Sequence, residues 1–454
     1  MNQQAILILL PGNLKEGGFP ALLQIKDEKT TQIDGHLPPE PHIFDCYDYW
    51  RSAYSPSLRR GNEDVEVESN PMDRPLQELA SDFKKSLNRW LNSSDSNWRN
   101  IRDELVANLS KNEEIEVIIQ TRNQELRQLP WHLWDVFANK KAEVAIAAPK
   151  FQPPRSKLPD GDRVRILAIQ GNPKLTNDQE IDNLVRDSQE IDNQADIDLL
   201  NKYFRNAEIV PLKEPKLQEL GDCLWDKKGW HILFFAGHSN SRIGDNDGWI
   251  QINSQDKIAI KDLKNDLETA IKNGLRLAIF NSCNGLGLAN QLEDLHLPQI
   301  IVMREKVSDG AAVKFLECFL QAFCKRKSLY ASMQETRSKL EGLPGSDPGT
   351  SWLPVICQNP AEKPLTWEGL VGQRWILKYK LEGHSDFIKT VAISPDSKTL
   401  ASGGPDKIVK LWNLETGEPI DELTGHSSSI FALAFSHDGK TLASASNMEF
   451  MDGT

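Results

Sequence analysis

HILFFAGHS (residues 231–239) and LRLAIFNSCNGLG (residues 275–287) carry the reading of this chain. Each is a short apolar run that stops at glycine and polar residues, the pattern of a strand buried on both faces of a parallel sheet. Around them strands and helices alternate. VRILAI (164–169) precedes a polar-faced helix around Ile181 to Tyr203, then come a strand in AEIVPL (207–212), a helix near Leu217 to Trp225 and a strand at QIIVM (299–303). DLKNDLETAIKN (262–273) and AAVKFLECFLQAF (311–323) have helical spacing. This alternation predicts a three-layer α/β domain over residues 163–360 with a mostly parallel sheet.

In such a sheet the functional crevice lies outside the carboxyl ends of the strands, where loops from different strands meet. The first run delivers Gly237, His238 and Ser239 there, and the second delivers Asn281, Ser282, Cys283, Asn284 and Gly285. Taken alone, a cysteine after an apolar strand is more often a small core residue. Together, two strand ends carrying His and Cys with flanking glycines point to a nucleophile and its base: the imidazole takes the thiol proton and the thiolate attacks a carbonyl. The glycines permit tight turns whose amides face the same space and serve an oxyanion. His238 precedes Cys283 by 45 residues, the order and approximate spacing of caspases.

The 454 residues call for more than one core. With 39% hydrophobic and 26% charged residues the composition is that of a globular protein, and a net charge of -12 gives no basic footprint for nucleic acid. AILILLPG (5–12) is too short to span a membrane and reads as a first strand. The six cysteines are scattered without a CxxC pair, so neither disulfide framework nor zinc site is expected, and a reducing cytoplasmic setting fits. Residues 1–150 read as an α/β region of undetermined role. Leu76, Leu79, Phe83, Leu87, Trp90 and Leu91 mark one helix, Ile101, Leu105 and Leu109 a second, and EIEVIIQ (114–120) a strand. LRQLPWHLWDVF (126–137) reads as an aromatic cluster packed between domains, with no chemistry assigned. FQPPRSKLPDGD, residues 151–162, is polar and proline-rich and places a linker there.

After residue 375 the period changes. GHSDFIKTVAISPDSKTLASGGPDKIVKLWN (383–413) is followed by GHSSSIFALAFSHDGKTLASAS (425–446), a repeat of 42 residues that matches one four-stranded propeller blade. The repeat resembles WD repeats, in which a buried hydrogen-bonded set locks each blade; the resemblance assigns that set to His384, Ser402, Asp406 and Trp412. Asn413 replaces the usual Asp of the signature. His426 and Ser444 keep their places in the second repeat, whereas Met448 and Thr454 stand where Asp and Trp belong. A propeller needs several blades to close, so either the repeats are truncated or other copies or chains complete the ring; because NMEFMDGT (447–454) matches no blade ending, the expectation for 375–454 is one full and one truncated repeat, an incomplete propeller.

Residues 163–360 resemble a CHAT domain, a caspase-like peptidase domain related to separases and common in cyanobacterial multidomain proteins. The likeness rests on GHS (237–239), NSCNGLGLA (281–289), REKVSDGAAVKFLECFLQAF (304–323) and SWLPVICQNP (351–360). It implies a caspase-like sandwich in which Cys283 is the nucleophile, His238 the general acid and base, and the backbone amides of Ser239 and Cys283 the oxyanion donors. Two departures stand out: Ser239 where caspases carry Gly, and Asn281 where metacaspases carry Asp, so their preference for basic side chains is not inherited. Asp245, Asp247 and Asn281 are candidates for a substrate pocket, although GDNDG (244–248) has the composition of a solvated turn. Gly285 and Gly287 make only a partial dinucleotide loop, and no GxxxxGKS motif occurs, so no cofactor and no metal are expected. The function implied is a cysteine endopeptidase acting on proteins in signalling or regulated proteolysis, with WD repeats recruiting partners. The rivals are an inactive scaffold on the same fold and another thiol-based acyl transfer enzyme.

Overall fold

The computed structural model describes residues 3–26, 30–54, 74–109, 114–138, 140, 142–148, 151, 158–159, 163–173, 193–241, 248–325, 327–343, 346–371 and 379–446. They fall into two compact units, Met1–Gln373 and Arg374–Thr454.

The first part of the larger unit comprises β1 (Gln3–Leu9), β2 (Phe19–Lys26), β3 (Thr31–Leu37), α1 (Ile43–Tyr54), α2 (Leu76–Leu91), α3 (Ser96–Asn108), β4 (Ile115–Gln120), α4 (Gln124–Gln128) and β5 (Ala142–Ala147). The apolar stripe read on α2 is real: Leu79, Phe83, Leu87, Trp90 and Leu91 are buried. Asp95 caps α3 through the amides of Asn97 and Trp98, satisfying donors that a helix start otherwise leaves open. The aromatic residues of 126–137 are core: Trp131 lies 6.4 Å from Trp90, and Trp134 stacks 5.7 Å from Trp98.

The second part adds β6 (Arg165–Gln170), α5 (Asn193–Tyr203), β7 (Glu208–Lys213), α6 (Leu217–Leu224), β8 (Ile232–Ala236), β9 (Ser239–Ser241), β10 (Gly248–Gln251), β11 (Lys257–Ala259), α7 (Lys264–Lys272), β12 (Leu277–Asn281), α8 (Leu286–Asp294), β13 (Gln299–Met303), α9 (Asp309–Phe323), α10 (Leu329–Glu341), β14 (Pro354–Gln358) and α11 (Trp367–Val371). Only the latter half of the helix expected around 181–203 lies within the described residues. The strand runs expected at 164–169, 207–212, 299–303 and in the two opening stretches all form.

Among the described residues eleven strands make one sheet in the order β3-β2-β1-β4-β5-β14-β13-β12-β8-β6-β7. From β6 to β13 the pairings are parallel, β14 runs antiparallel to β13, and β5 joins β14 in parallel through Ile356 opposite Ala145. The sheet therefore does not stop at the expected linker: the region before residue 151 and the region after 162 share one sheet and one compact unit. Alternation along each strand covers both faces. Ile166, Phe234, Ile279 and Ile301 pack with Leu200 of α5 and Phe319 of α9, whereas Leu167, Phe235, Phe280 and Val302 pack with Leu224 of α6, Leu267 of α7 and Leu292 of α8. Among the described residues no helix is long and apolar enough to cross a membrane.

The second unit holds β15 (Thr390–Ile393), β16 (Thr399–Gly403), β17 (Val409–Asn413) and β18 (Pro419–Leu423) as one antiparallel four-stranded sheet, and β19 (Ile430–Phe435) with β20 (Leu442–Ser446) as a second. Ala401 and Val409 of the first sheet pack against Ile430 of the second. His384 joins Asp406 through Nδ1 at 2.6 Å and Ser402 through Nε2 at 2.7 Å, and Trp412 Nε1 donates to the same Ser402 hydroxyl at 2.7 Å. In the second repeat His426 contacts Ser444 at 2.7 Å and Ser446 at 3.0 Å. Met448 and Thr454 lie outside the described residues.

Candidate active site

Parallel pairing of β8 with β12 sets Ala236 opposite Asn281 as the last couple of the ladder. His238 and Cys283 each stand two residues beyond it, past the ends of neighbouring strands that run about 5 Å apart within the ladder. Both are partly open to solvent, whereas Ser239, Asn281 and Ser282 are buried. The turn after β8 depends on glycine: Gly237 has φ 153°, and a Cβ there would come within 3.0 Å of the Phe235 ring and 3.1 Å of the Gly171 Cα.

The imidazole is oriented from the next strand. His238 Nε2 lies 3.2 Å from the carbonyl oxygen of Pro173, just past β6. A carbonyl only accepts, so Nε2 carries the proton and Nδ1 is left as the basic nitrogen. Burial lowers the His238 pKa, partly offset by this carbonyl.

The thiol sits against the connection between β13 and α9. Val307 N–H points to Cys283 Sγ at 3.4 Å, and the Val307 carbonyl lies 3.6 Å from the same sulfur. Burial raises the Cys283 pKa; the Val307 amide and Lys306 oppose the rise, and Asp309 adds to it. Both shifts favour the uncharged forms, imidazole at His238 and thiol at Cys283.

Two cross-loop ties join the His and Cys segments. The Ser239 hydroxyl donates to the Cys283 carbonyl and hydrogen-bonds with the Ser282 hydroxyl at 2.7 Å. Asn284 Nδ2 donates to Asn240 Oδ1 at 3.1 Å, from a backbone in the left-handed region at φ 50° that Asn tolerates better than most residues. Gly285 stands at the N-cap of α8; its amide donates to the Met303 carbonyl at 2.7 Å, and a Cβ would lie 2.7 Å from Val302 Cβ.

Asn281 is 6% exposed and turns its amide toward Asp196 of α5, donating to both carboxylate oxygens at 3.1 Å. Its Oδ1 is buried and finds no partner among the described residues. The structure thus brings His238, Ser239, Asn281 and Cys283 to one end of the sheet. Asp245 and Asp247 lie outside the described residues. Sequence reading brought Asn284 to this end of the sheet without assigning it a contact, and it missed Pro173, Asp196, Asn240 and Val307, none of which the pairing of parallel strands names. Among the described residues no cluster of three or more His, Cys, Asp or Glu has the geometry to hold a metal ion.

A family model described as the CHAT domain matches residues 96–372, well over half of the chain. WD domain, G-beta repeat models match 375–413 and 417–454. Among curated proteins, the chain is 35% identical over 83 residues to "Cross-pathway control WD-repeat protein 2" of Flammulina velutipes, covering 16% of this chain and 26% of that protein. It is 45% identical over 47 residues to "Small ribosomal subunit protein RACK1" of Medicago sativa, covering 10% and 14%. The chain thus spans about a quarter or less of the length of these relatives. A solved structure titled "Crystal structure of RRP9 WD40 repeats" is 33% identical with TM-score 0.14, covering 14% of this chain and 21% of that one.

Proposed function

Because the chain belongs to the CHAT domain family and carries WD repeats after that domain, we propose that it is a cysteine endopeptidase of caspase-like type, with Cys283 as nucleophile and His238 as general acid and base. The observation that carries this reading is the register of β8 on β12, which sets both residues at the same height beyond one ladder couple. Nδ1 of His238 takes the thiol proton as sulfur bonds to the scissile carbonyl carbon. The backbone amides of Ser239 and Cys283 serve the oxygen that becomes negative. The protonated imidazole then gives its proton to the leaving amine, and water, deprotonated by the same nitrogen, releases the acyl group from Cys283.

The uncharged forms that both shifts favour fit this sequence, since the thiol needs the base only when substrate arrives. Asn281, anchored to Asp196, is the residue of this end of the sheet that the reading assigns to the substrate side. The WD repeats recruit protein partners, the role that repeat surfaces of this kind serve. The scattered free cysteines suit a cytoplasmic setting.

The test is incubation of the purified protein, Cys283→Ala and His238→Ala with a mixed peptide library, read by mass spectrometry. Cleavage by the parent protein and its loss in both variants supports the peptidase. Cleavage that persists in Cys283→Ala, or no cleavage by any of the three, defeats it and favours a scaffold that uses the same fold without chemistry.

A further inference from the structure

The connection that touches the thiol is held from outside the family match. Residues 304–308 link β13 to α9, and Val307 within them brackets Cys283 Sγ with its amide and carbonyl. Two residues earlier, Glu305 is 9% exposed and accepts a hydrogen bond at 2.8 Å from the Tyr47 hydroxyl, with Arg51 at 3.9 Å from the same oxygen. Tyr47 and Arg51 lie on α1, well before residue 96. The Glu305 carbonyl in turn accepts from the Asn284 amide at 3.4 Å, the residue next to Cys283. One residue thus ties α1, through its side chain, to the connection that approaches the sulfur and, through its backbone carbonyl, to the segment that carries Cys283.

Tyr47 is itself rigidly placed. It is fully buried, its ring lies 5.4 Å from that of Trp50 and 5.3 Å from that of Phe83, and Trp50 lies 4.8 Å from Trp352. A buried aromatic with one rotatable hydroxyl fixes its acceptor with little conformational freedom to lose. A carboxylate is otherwise costly at such a position, and its burial next to the active-site connection has no use in the chemistry described above.

We infer that the Tyr47–Glu305 hydrogen bond positions the β13–α9 connection against Cys283, making Glu305 a positioning residue and α1 a working part of the active site. This inference rests on the reading of Cys283 as the reactive thiol, not on peptide cleavage itself. The charged and titratable groups around the sulfur are Lys306 and Asp309 on the connection and α9, and His238 at the same end of the sheet. Glu305 acts through the backbone it holds and not through its charge.

The experiment is site-resolved alkylation of the full chain with iodoacetamide from about pH 6 to about pH 10, read by mass spectrometry at Cys283, with Cys223 and Cys324 as internal controls. Tyr47→Phe and Glu305→Ala are each expected to change the Cys283 rate by at least about threefold and to displace its pH midpoint. The double variant should add little, since both remove one link. Glu305→Gln keeps an acceptor for the Tyr47 hydroxyl and should restore the parent profile. An unchanged Cys283 profile in Tyr47→Phe and Glu305→Ala overturns the inference. So does a parallel rise at Cys223 and Cys324, which reports general loosening, and so does a Glu305→Gln profile equal to that of Glu305→Ala, which assigns the effect to charge. Cleavage measured on the same samples separates the two readings: a parent protein that cleaves nothing but shows the expected alkylation pattern loses the peptidase and keeps the positioning, and the reverse result loses only the positioning.

Discussion

Nε2 of His238 and the carbonyl oxygen of Pro173 are 3.2 Å apart, so a backbone group of β6's loop fixes which imidazole nitrogen is basic. Substitution of Pro173 leaves that carbonyl in place, so the site's tautomer is robust to the side chain and sensitive to the path of the loop.

This arrangement predicts the pH profile. Burial holds the His238 pKa below 6.5, so the imidazole is already neutral at pH 7. As pH falls, kcat/KM should drop only below 6.5, where the base becomes protonated, and His238→Ala should remove this limb together with a factor of about 10² to 10⁴ in rate. The Cys283 thiol without substrate should titrate above 9.0, because burial raises it. A pH series of peptide hydrolysis beside one of Cys283 alkylation checks both. A Cys283 alkylation midpoint well below 9.0 would show a preformed ion pair and overturn this account.

His231 gives a stability prediction separate from catalysis. It is 3% exposed, its Nδ1 accepts from the Arg165 amide at 3.0 Å, and burial with neighbouring Arg165 and Arg276 pushes its pKa down to about 4. The folded value lies below the ordinary 6.5, so between them the unfolded chain binds more protons and stability falls as pH falls through that window. The loss attributable to this group is about 3 kcal/mol when complete, from 1.36 kcal/mol per pKa unit. His231→Asn retains an acceptor and cannot charge; urea midpoints at about pH 7 and about pH 5 should converge in this variant relative to the parent. Equal slopes in both proteins would assign the acid sensitivity to other groups.

The large parallel sheet was legible because strands buried on both faces read as apolar runs: HILFFA ends at the last ladder couple and LAIF one residue before it, close to His238 and Cys283. α10 was not, since buried Thr336 and Arg337 interrupt its apolar stripe, and Arg337 is there to bind Glu143 and the carbonyls of Ser351 and Pro354. The sharing of one sheet across residues 151–162 had no sequence signal either, because strand pairing between β5 and β14 joins residues about 210 apart, and a linker's composition does not say what its two ends pair with. The same limit hid Pro173, Asp196 and Val307 from the candidate site: each reaches it through tertiary placement from a different strand or helix.

Gly285 tests how tightly the nucleophile segment is seated. A Cβ there would stand 2.7 Å from Val302 Cβ, on a central strand, where neither neighbour is a flexible side-chain end. Gly285→Ala should cost about 1–3 kcal/mol through overpacking. It should also lower kcat/KM by about 10²-fold, as Cys283 two residues earlier is displaced. Gly342→Ala is the control: its Cβ would meet Ser338 O at 3.6 Å in ordinary contact and should change stability by no more than about 0.5 kcal/mol. Urea unfolding and peptide hydrolysis on both variants check this; parent-like values for Gly285→Ala would show that the segment yields freely.

Ser402 is the shared node of the first WD repeat, and its removal should have a local effect. Its hydroxyl accepts from Trp412 Nε1 and meets His384 Nε2, each at 2.7 Å, while Asp406 holds the other imidazole nitrogen at 2.6 Å. Ser402 is 1% exposed, so Ser402→Ala strands two polar groups away from water. The expected cost is about 1–3 kcal/mol per stranded group, more than the loss of one exposed hydrogen bond. Ser402→Thr retains the hydroxyl and should recover most of it. Because the unit Arg374–Thr454 is compact in itself, hydrogen exchange on the full chain should show faster exchange confined to β15, β16 and β17, with the amides of β8 and β12 unchanged. Equal acceleration in the large sheet would mean that the two units unfold together, and no acceleration in either would mean that the His384, Ser402 and Trp412 chain does not hold the blade.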